Sequence, residues 1–312
     1  MAHNTRHNLL LSRASQYVLL ILVFGIVSGG YWYWKSAQAG VTLNKSGVTG
    51  TAKLNASQNS WLTDGLVGLW SFDGADISGT TAYDRSGNGN NGTLTNGPIP
   101  TIGTIGQALN LDGNNDDVRA GDIDAIDTAT ALTVCAWVKH NSLTADHPIV
   151  TKDTGTAGFI FIRDDVGGVS GRTDTYLMYV DDSADSDTAR VEGTTNASVA
   201  NVWTHVCGTF QALSATGLHL YVNGVEDVHS PASTTSIGAI DAGANVLRIG
   251  SRMTGDYFNG LIDDVRIYNR VLAAGEIQSL YFLGDADKIN SGVSQSQGVG
   301  RLDSGLQSYW PL

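Results

Sequence analysis

The sequence is poor in charged residues, and poorest in glutamate. Charged side chains make up 15% of the 312 residues, and Glu192, Glu226 and Glu276 are the only glutamates among 30 acidic residues. Because Glu and Lys favour helices whereas Asp favours turns, this composition excludes a mainly helical fold. Together with 38 glycines, it is typical of a turn-rich, all-β extracellular protein.

Basic residues are also scarce, and this excludes nucleic acid as a partner. Lys and Arg number 18, which leaves a formal net charge of −12. Binding to phosphate groups requires clustered Lys and Arg. We therefore interpret the acidic excess as the solubility charge of an exported protein.

Several enzyme motifs are absent as well. The sequence contains no nucleophile elbow, no phosphate-binding glycine loop and no Cys/His spacing typical of zinc sites. It has only five prolines and no sustained 3.6-residue hydrophobic period. These absences favour a fold of many short strands.

Near the N-terminus lies an uncharged run at 17–34, preceded by a basic segment at 1–16. Its 18 residues would extend about 27 Å as a helix, enough to cross a hydrocarbon core. The preceding Arg6 and Arg13 place the N-terminus in the cytoplasm. A cleavable signal peptide is the alternative, since Ala37-Gln38-Ala39 has the form of a cleavage site. Both interpretations export the following residues, either anchored at the cell surface or secreted.

Two segments of small and polar residues divide the rest of the chain. We predict flexible linkers at 35–60 and 285–300, which bracket one domain at 61–284. The last segment, RLDSGLQSYWPL at 301–312, repeats WLTDGLVGLWSF at 61–72 in degenerate form. This similarity predicts the first strand of a truncated second repeat.

Within the domain, short apolar or alternating runs alternate with turn signals. They predict strands at 66–72, 108–111, 132–140, 158–163, 176–180, 203–210, 218–222, 246–250 and 261–268. One short helix is predicted at 273–281, with Glu276 in its first turn. The pattern favours a two-sheet antiparallel sandwich.

Seven segments in order resemble the landmarks of laminin-G-like jelly-roll domains, which belong to the concanavalin A-like lectin and glucanase superfamily. They are GLVGLWSFDG, DRSGNGNNGTL, GQALNLDG, LTVCAWVK, WTHVCGTF, LHLYVNG and FNGLIDDVRIYNRVLAAGEIQSLY. The resemblance covers nearly all of 61–284 and implies a jelly-roll sandwich with one short C-terminal helix. It also implies a binding module of a secreted or surface protein, with glycans or proteins as ligands.

The two cysteines, Cys135 and Cys207, both lie in predicted strands. An even pair in an exported chain predicts a disulfide, and two buried free thiols are the alternative. The segments TVC and HVC also resemble the strands that carry the intradomain disulfide of pentraxins.

Asp- and Asn-rich turns suggest a structural calcium ion. The candidate ligands are Asp73 at the end of the first strand, Asp84 and Asn88 in an Asx-rich loop, and Asp263 and Asp264 on the last strand. The first and last strands of a jelly roll are often neighbours, which would bring Asp73 to Asp263 or Asp264. Asx residues also form turns without any metal, and that alternative stays open.

Paired glutamates in an E-x-D-x-E-like strand are typical of glycosidases with this fold. Here the glutamates are scattered, so we expect no catalytic residue; an inverting enzyme that uses an Asp pair stays the alternative. Tyr176, Tyr179 and Tyr257 lie near predicted loops or strand ends, where they could stack on sugar rings.

We therefore expect a non-catalytic extracellular recognition or adhesion module that binds carbohydrate or a surface protein. The N-terminal helix would tether it to the membrane. Two alternatives are a structural spacer in a surface array, and a polysaccharide-degrading enzyme or an accessory domain of one.

Overall fold

A computed structural model describes residues 40–45, 48–53, 62–154, 157–165, 174–182, 187–194, 197–227, 237–253 and 255–292. The predicted membrane or signal segment at 17–34 and the predicted repeat at 301–312 lie outside these residues. None of the helices in the described ranges is long and apolar enough to span a membrane.

The chain divides into two compact units, at 1–58 and 59–312. The first unit contains an antiparallel hairpin of strands β1 (Gly40–Lys45) and β2 (Val48–Lys53). The hairpin lies within the flexible linker predicted at 35–60. Valine and threonine recur in both strands, and these β-branched residues favour extended backbone.

The second unit is a sandwich of two antiparallel sheets. The strands of the first sheet are β3 (Leu66–Trp70), β7 (Ile99–Ile102), β8 (Gln107–Asp112), β10 (Ala131–His140), β15 (Thr204–Gln211), β16 (Leu218–Val222), β17 (Val225–Glu226) and β19 (Asn259–Tyr268). Their order is β17-β16-β15-β10-β19-β8-β7, and β3 pairs with β19 as well.

Nine strands form the second sheet. They are β4 (Ile77–Ser78), β5 (Thr81–Ala82), β6 (Gly92–Thr95), β9 (Asp117–Asp122), β11 (His147–Asp153), β12 (Gly158–Asp164), β13 (Thr175–Asp182), β14 (Asp187–Glu192) and β18 (Val246–Ile249). Their order is β14-β13-β12-β11-β18-β9-β6-β5-β4.

The core lies between the two sheets, because alternate residues of each strand point inward. Val134, Ala136 and Val138 of β10 face Phe159 and Phe161 of β12 in one buried cluster. The intervening residues of each strand point to the outer face of their own sheet.

The outer face of the first sheet is covered, and we call it the covered face. Its buried apolar cluster consists of Leu66, Cys135, Cys207, Tyr221, Tyr268, Leu272, Ile277 and Leu280. Cys135 and Cys207 are directly opposite across β10 and β15 and form a disulfide, as predicted.

A C-terminal helix, α2 (Ala274–Gly292), supplies part of this cover. Glu276 accepts a hydrogen bond from the backbone N–H of Ala273 at 2.8 Å and binds Arg270. The helix starts near the predicted position but continues into the predicted linker at 285–300. In the described residues, the other helices are a 3-10 turn at Gly74–Asp76 and α1 (Asp124–Asp127).

Candidate functional site

The outer face of the second sheet carries an apolar strip on two neighbouring strands. In β12 and β13 the residues that point to the core are Phe159, Phe161, Tyr176, Met178 and Val180. The residues between them, which point outward, are Ile160, Ile162, Leu177 and Tyr179. Ile160 pairs with Tyr179, and Ile162 with Leu177, so the four side chains form a continuous patch. Ile160 and Tyr179 are half-buried, whereas Ile162 and Leu177 are buried.

Carboxylates lie at both ends of this patch. Asp153 pairs with Gly158 at one end of β12, and Asp164 lies at the other end. Asp146 is near Asp164, because its Oδ1 accepts a hydrogen bond from the N–H of Asp165 at 3.0 Å. Together with Arg252, these groups line a cavity of about 270 Å³. We call this surface the open face.

Electrostatic effects are visible on two side chains of the open face. Burial raises the pKa of Asp146, and the neighbouring carboxylates of Asp164 and Asp256 raise it further, against the effect of the Asp165 N–H and of Arg252. Burial and a hydrogen bond to Asp181 raise the pKa of Tyr179 to about 12. At neutral pH the Tyr179 hydroxyl is therefore a neutral donor, 3.1 Å from Asp181 Oδ2.

A second cluster lies under the turn between β7 and β8, where Asp73 and Asp263 accept backbone hydrogen bonds. Asp263 Oδ2 accepts from the N–H groups of Thr104 and Ile105 at 2.8 and 2.9 Å, and Asp73 Oδ1 accepts from Gln107 at 2.7 Å. The turn fits closely over both carboxylates. A Cβ at Gly103 would overlap Asp263 Oδ2, and one at Gly106 would overlap Asp73 Oδ1.

The other oxygen of Asp263 is buried without a hydrogen-bond partner among the described residues. Burial raises the pKa of Asp263 to about 8, and the carboxylates of Asp264 and Asp73 add to the rise, while the Ile105 and Thr104 N–H groups oppose it. An orphaned buried carboxylate oxygen beside a second carboxylate fits a hard cation. As the sequence predicted, Asp73 lies close to Asp263.

The remaining predicted calcium ligands lie in other hydrogen-bond networks. Asp84 accepts from the N–H groups of Leu69 and Asn90 at 3.0 Å each, which organises the Asx-rich loop. The Asn88 amide donates to backbone carbonyls at 2.8 and 3.1 Å. Asp264 forms an ion pair with Arg266 at 2.9 Å. The structure thus associates Asp73 with Asp263 and gives the other three residues structural partners.

Two further groups have the spacing of metal ligands but already hold other partners. Cys135 and Cys207 are in the disulfide, so the group that they form with His205 has no free thiolate. The group of Asp122, Asp124 and Asp127 surrounds the buried ammonium of Lys152, whose Nζ lies 2.8 Å from Asp122.

Tyr176 lies in the core rather than at the surface. It is 1% exposed, and its hydroxyl is 3.2 Å from Nε2 of His140, whose Nδ1 lies 2.9 Å from Nδ1 of His147. Because its ring is buried, Tyr176 is not part of the open face. Tyr179 is in the apolar patch, and Tyr257 pairs with Ser251 in the loop that carries Arg252.

Sequence reasoning missed the carboxylates of the open face and the residues Ile160, Ile162 and Leu177. One signal was available in the segment GFIFIRD of β12. Phe and Ile alternate there, so the strand is apolar on both faces, although only one face of a sandwich strand contacts the core.

Comparisons with known proteins agree with this architecture. Domain 4 of AbnA, an extracellular arabinanase of family GH43 from Geobacillus stearothermophilus solved with arabinotriose, is similar with a TM-score of 0.52 and 23% identity, over 69% of this chain and 98% of that one. The binding domain of Paraclostridial Mosquitocidal Protein 1 is similar with a TM-score of 0.53 and 17% identity, over 70% of this chain and 52% of that one. The receptor binding domain of botulinum neurotoxin C/D mosaic serotype is similar with a TM-score of 0.50 and 14% identity, over 70% of this chain and 51% of that one. The chain thus spans about half of each toxin domain, and these similarities show the fold.

A search of curated proteins found no match. The Laminin_G_3 family model, described as "Concanavalin A-like lectin/glucanases superfamily", matches residues 112–278, more than half of the chain. The match includes both cysteines, the open face and the last strand of the sandwich. The chain therefore belongs to this family of the concanavalin A-like lectin/glucanases superfamily.

Proposed function

We propose that this protein is a non-catalytic recognition module that binds carbohydrate on its open face. The observation that carries the proposal is the position of the apolar patch, Ile160, Ile162, Leu177 and Tyr179, between carboxylates at both ends of one cavity. A sugar ring presents C–H groups on its faces and hydroxyl groups at its edge. The half-buried side chains of the patch, Ile160 and Tyr179, would contact the first, and the half-buried carboxylate of Asp146 would accept hydrogen bonds from the second.

Solved relatives support a binding role without defining the ligand. The arabinanase domain was solved with arabinotriose, and the two toxin fragments are binding domains. The superfamily itself includes lectins and glucanases, so the fold alone does not decide between binding and catalysis. The site must therefore carry the argument.

Export to the cell surface is also part of the proposal. The uncharged run at 17–34 supports an anchor or signal segment. The Cys135–Cys207 disulfide supports an oxidising compartment, because disulfides are rare in the cytosol. An epitope tag at the C-terminus that is stained on intact cells would test this location, and staining only after permeabilisation would contradict it.

Glycan-array binding by the purified full chain, kept in detergent, tests the main proposal. We expect binding to at least one class of oligosaccharide, and a loss of roughly tenfold or more in Tyr179→Ala. Tyr83→Ala is the matched control, because Tyr83 is an exposed tyrosine beside β5, at the far end of the same sheet. A folded protein that binds no glycan would favour the structural spacer instead.

A second function is favoured by one observation on the same face. The pKa of Asp146 is raised beside the carboxylate of Asp164, and an acid paired with a carboxylate is the arrangement of an inverting glycosidase. Incubation with the polysaccharides that bind on the array distinguishes the two. Release of reducing ends that is lost in Asp146→Asn would establish hydrolysis, whereas binding without release supports recognition alone.

We also propose that Asp73 and Asp263 hold a structural calcium ion. The fit rests on the orphaned Asp263 oxygen and on the adjacent Asp73 carboxylate, with the remaining oxygens to come from carbonyl groups and water. The ion would stabilise the ionised form of the buried Asp263 beside the half-buried Asp73, and it would cross-link the end of the first strand to the last strand.

Thermal unfolding after treatment with EDTA tests this site. Calcium should raise the melting temperature of the wild-type protein and leave that of Asp263→Asn unchanged. Asp64→Asn, which removes an exposed aspartate before β3, should keep the full calcium response. An EDTA-treated wild-type protein that does not respond to calcium would remove the proposal.

A further inference from the structure

We infer that the open face selects neutral, hydroxyl-rich glycans and rejects anionic ones such as uronates and sialylated sugars. The inference rests on the proposed carbohydrate-binding function. It follows from the charges around the cavity, whose described lining contains the carboxylates of Asp146, Asp153 and Asp164 and a single cation, Arg252.

Arg252 is already engaged with carboxylates of the protein. Its guanidinium forms an ion pair with Asp256, and its Nη2 lies 3.9 Å from Asp146 Oδ2. An anionic ligand would therefore have to compete with two carboxylates for this one cation. Its approach would also bring a further negative charge beside Asp164, at the end of the cavity where carboxylates already raise the pKa of Asp146.

The other described arginines that border the open face are also paired. Arg190, opposite Tyr179 on β14, binds Glu192 at 3.3 Å. Arg119 and Arg248, farther along the sheet, both bind Asp117, at 3.0 and 3.4 Å.

Arg163 lies at the end of β12 but points away from the cavity. Its side chain is fully buried, and it donates to the carbonyls of Ala145 and Leu143 at 2.6 and 2.8 Å. It also binds Asp174. Each arginine described on this sheet thus serves a partner within the protein, and an anion would meet carboxylates without an uncommitted guanidinium among them.

Carboxylates suit neutral sugars for the opposite reason. A carboxylate only accepts hydrogen bonds, and a sugar hydroxyl donates one without bringing charge into the site. The same groups that repel a uronate would orient a neutral ring over Tyr179. Discrimination therefore comes from repulsion of the wrong ligand as well as from contacts to the right one.

Matched glycan pairs test this inference on the full chain. The probes are lactose against sialyllactose, and methyl-esterified oligogalacturonates against the free acids, together with arabinotriose as a neutral probe. We expect each neutral member that binds to do so about tenfold or more tightly than its anionic counterpart at low salt. We also expect the ratio to shrink in 0.5 M salt, because added ions screen the repulsion.

Asp146→Asn should narrow the ratio, because the amide keeps an acceptor for the Asp165 N–H but removes one negative charge. Asp64→Asn makes the same change in net charge beside the first sheet, outside the lining of the cavity, and should leave the ratio intact. Equal or tighter binding of the anionic members would overturn the selectivity while leaving carbohydrate binding in place. Binding of no probe, neutral or anionic, would instead overturn the proposed function and this inference with it.

Discussion

The covered face and the open face belong to the same sandwich, but their outward-pointing residues have different partners. On the covered face, the ring of Trp137 stacks on Tyr281 of α2, with centroids 5.6 Å apart. It also contacts His205, whose Nε2 lies 3.9 Å from Sγ of Cys207 in the disulfide. On the open face, Tyr179 and Ile160 are half-buried, and no helix in the described part of the chain packs on them. One outer face thus contributes stability, whereas the other has half-buried apolar side chains, which would contact the ligand that we propose.

The largest expected effect concerns the disulfide of the covered face. Cys135 and Cys207 are 72 residues apart, so replacing both by alanine should lower the free energy of unfolding by about 4 kcal/mol. Urea unfolding measures this loss. A loss below about 1 kcal/mol would contradict the idea that the covered face, unlike the open face, contributes much of the stability.

The next effect isolates the packing of the helix on the covered face. A Cβ at Gly284 would lie 2.6–2.7 Å from atoms of the Trp137 ring, so Gly284→Ala should destabilise the protein by about 1–3 kcal/mol. Gly275→Ala is the matched control in the same helix. A Cβ there has no neighbour within 4 Å, and alanine should stabilise the helix by up to about 1 kcal/mol. Equal effects of the two substitutions would contradict the packing of α2 on Trp137.

Opposite responses to pH should also distinguish the two faces. Burial lowers the pKa of His205, beside Trp137, from 6.5 to about 3. Between these values the unfolded chain binds a proton that the folded protein does not, so the free energy of unfolding decreases as pH falls, by about 2 kcal/mol at pH 5. The raised pKa of Asp146 has the opposite effect on stability, because the folded protein binds more protons than the unfolded chain. The stability that this difference provides is lost as pH rises.

Urea unfolding across this pH range checks both signs. His205→Phe should flatten the acid side of the stability curve, since it removes the titrating ring and keeps a contact with Trp137. Part of the loss of stability at acid pH should remain in this variant, because the pKa values of the buried pair His140 and His147 are also lowered. Asp146→Asn should instead make the acid loss steeper. An acid side that does not change in His205→Phe would contradict the assignment of His205, and one that does not change in Asp146→Asn would contradict that of Asp146.

The sequence predicted the covered face better than the open one. Each of the nine predicted strands overlaps an observed strand, and Cys135 and Cys207 form the predicted pair. These features could be predicted because long apolar alternation and a cysteine pair are visible in the local sequence. Strands β4 to β7 are short, and β9 and β14 carry charged residues, so their extended conformation depends on pairing with neighbours.

Prediction of the candidate sites was less complete for a related reason. Asp73 and Asp263 could be associated through the order of strands in a jelly roll. Asp146 and Asp164, in contrast, meet only because β11 and β12 pair, and β11 was not predicted from HPIVTKD, where a proline and two charges interrupt the apolar run. The burial of Tyr176 depended on which face of β13 points inward. If the register of β13 is assigned one residue off, each of its side chains is placed on the wrong face of the sheet.

The smallest effect on stability, and the sharpest test of the comparison, is expected for Tyr179→Ala. Tyr179 contacts no helix, so the substitution should cost under about 1 kcal/mol, the range of strand preferences. Binding to the open face should nevertheless fall roughly tenfold or more. Gly284→Ala should give the reverse result, with lower stability and unchanged affinity. If Tyr179→Ala instead destabilised the fold as much as Gly284→Ala and left glycan affinity unchanged, the residues of the open face would be part of the packed structure, and the ligand would have to bind elsewhere.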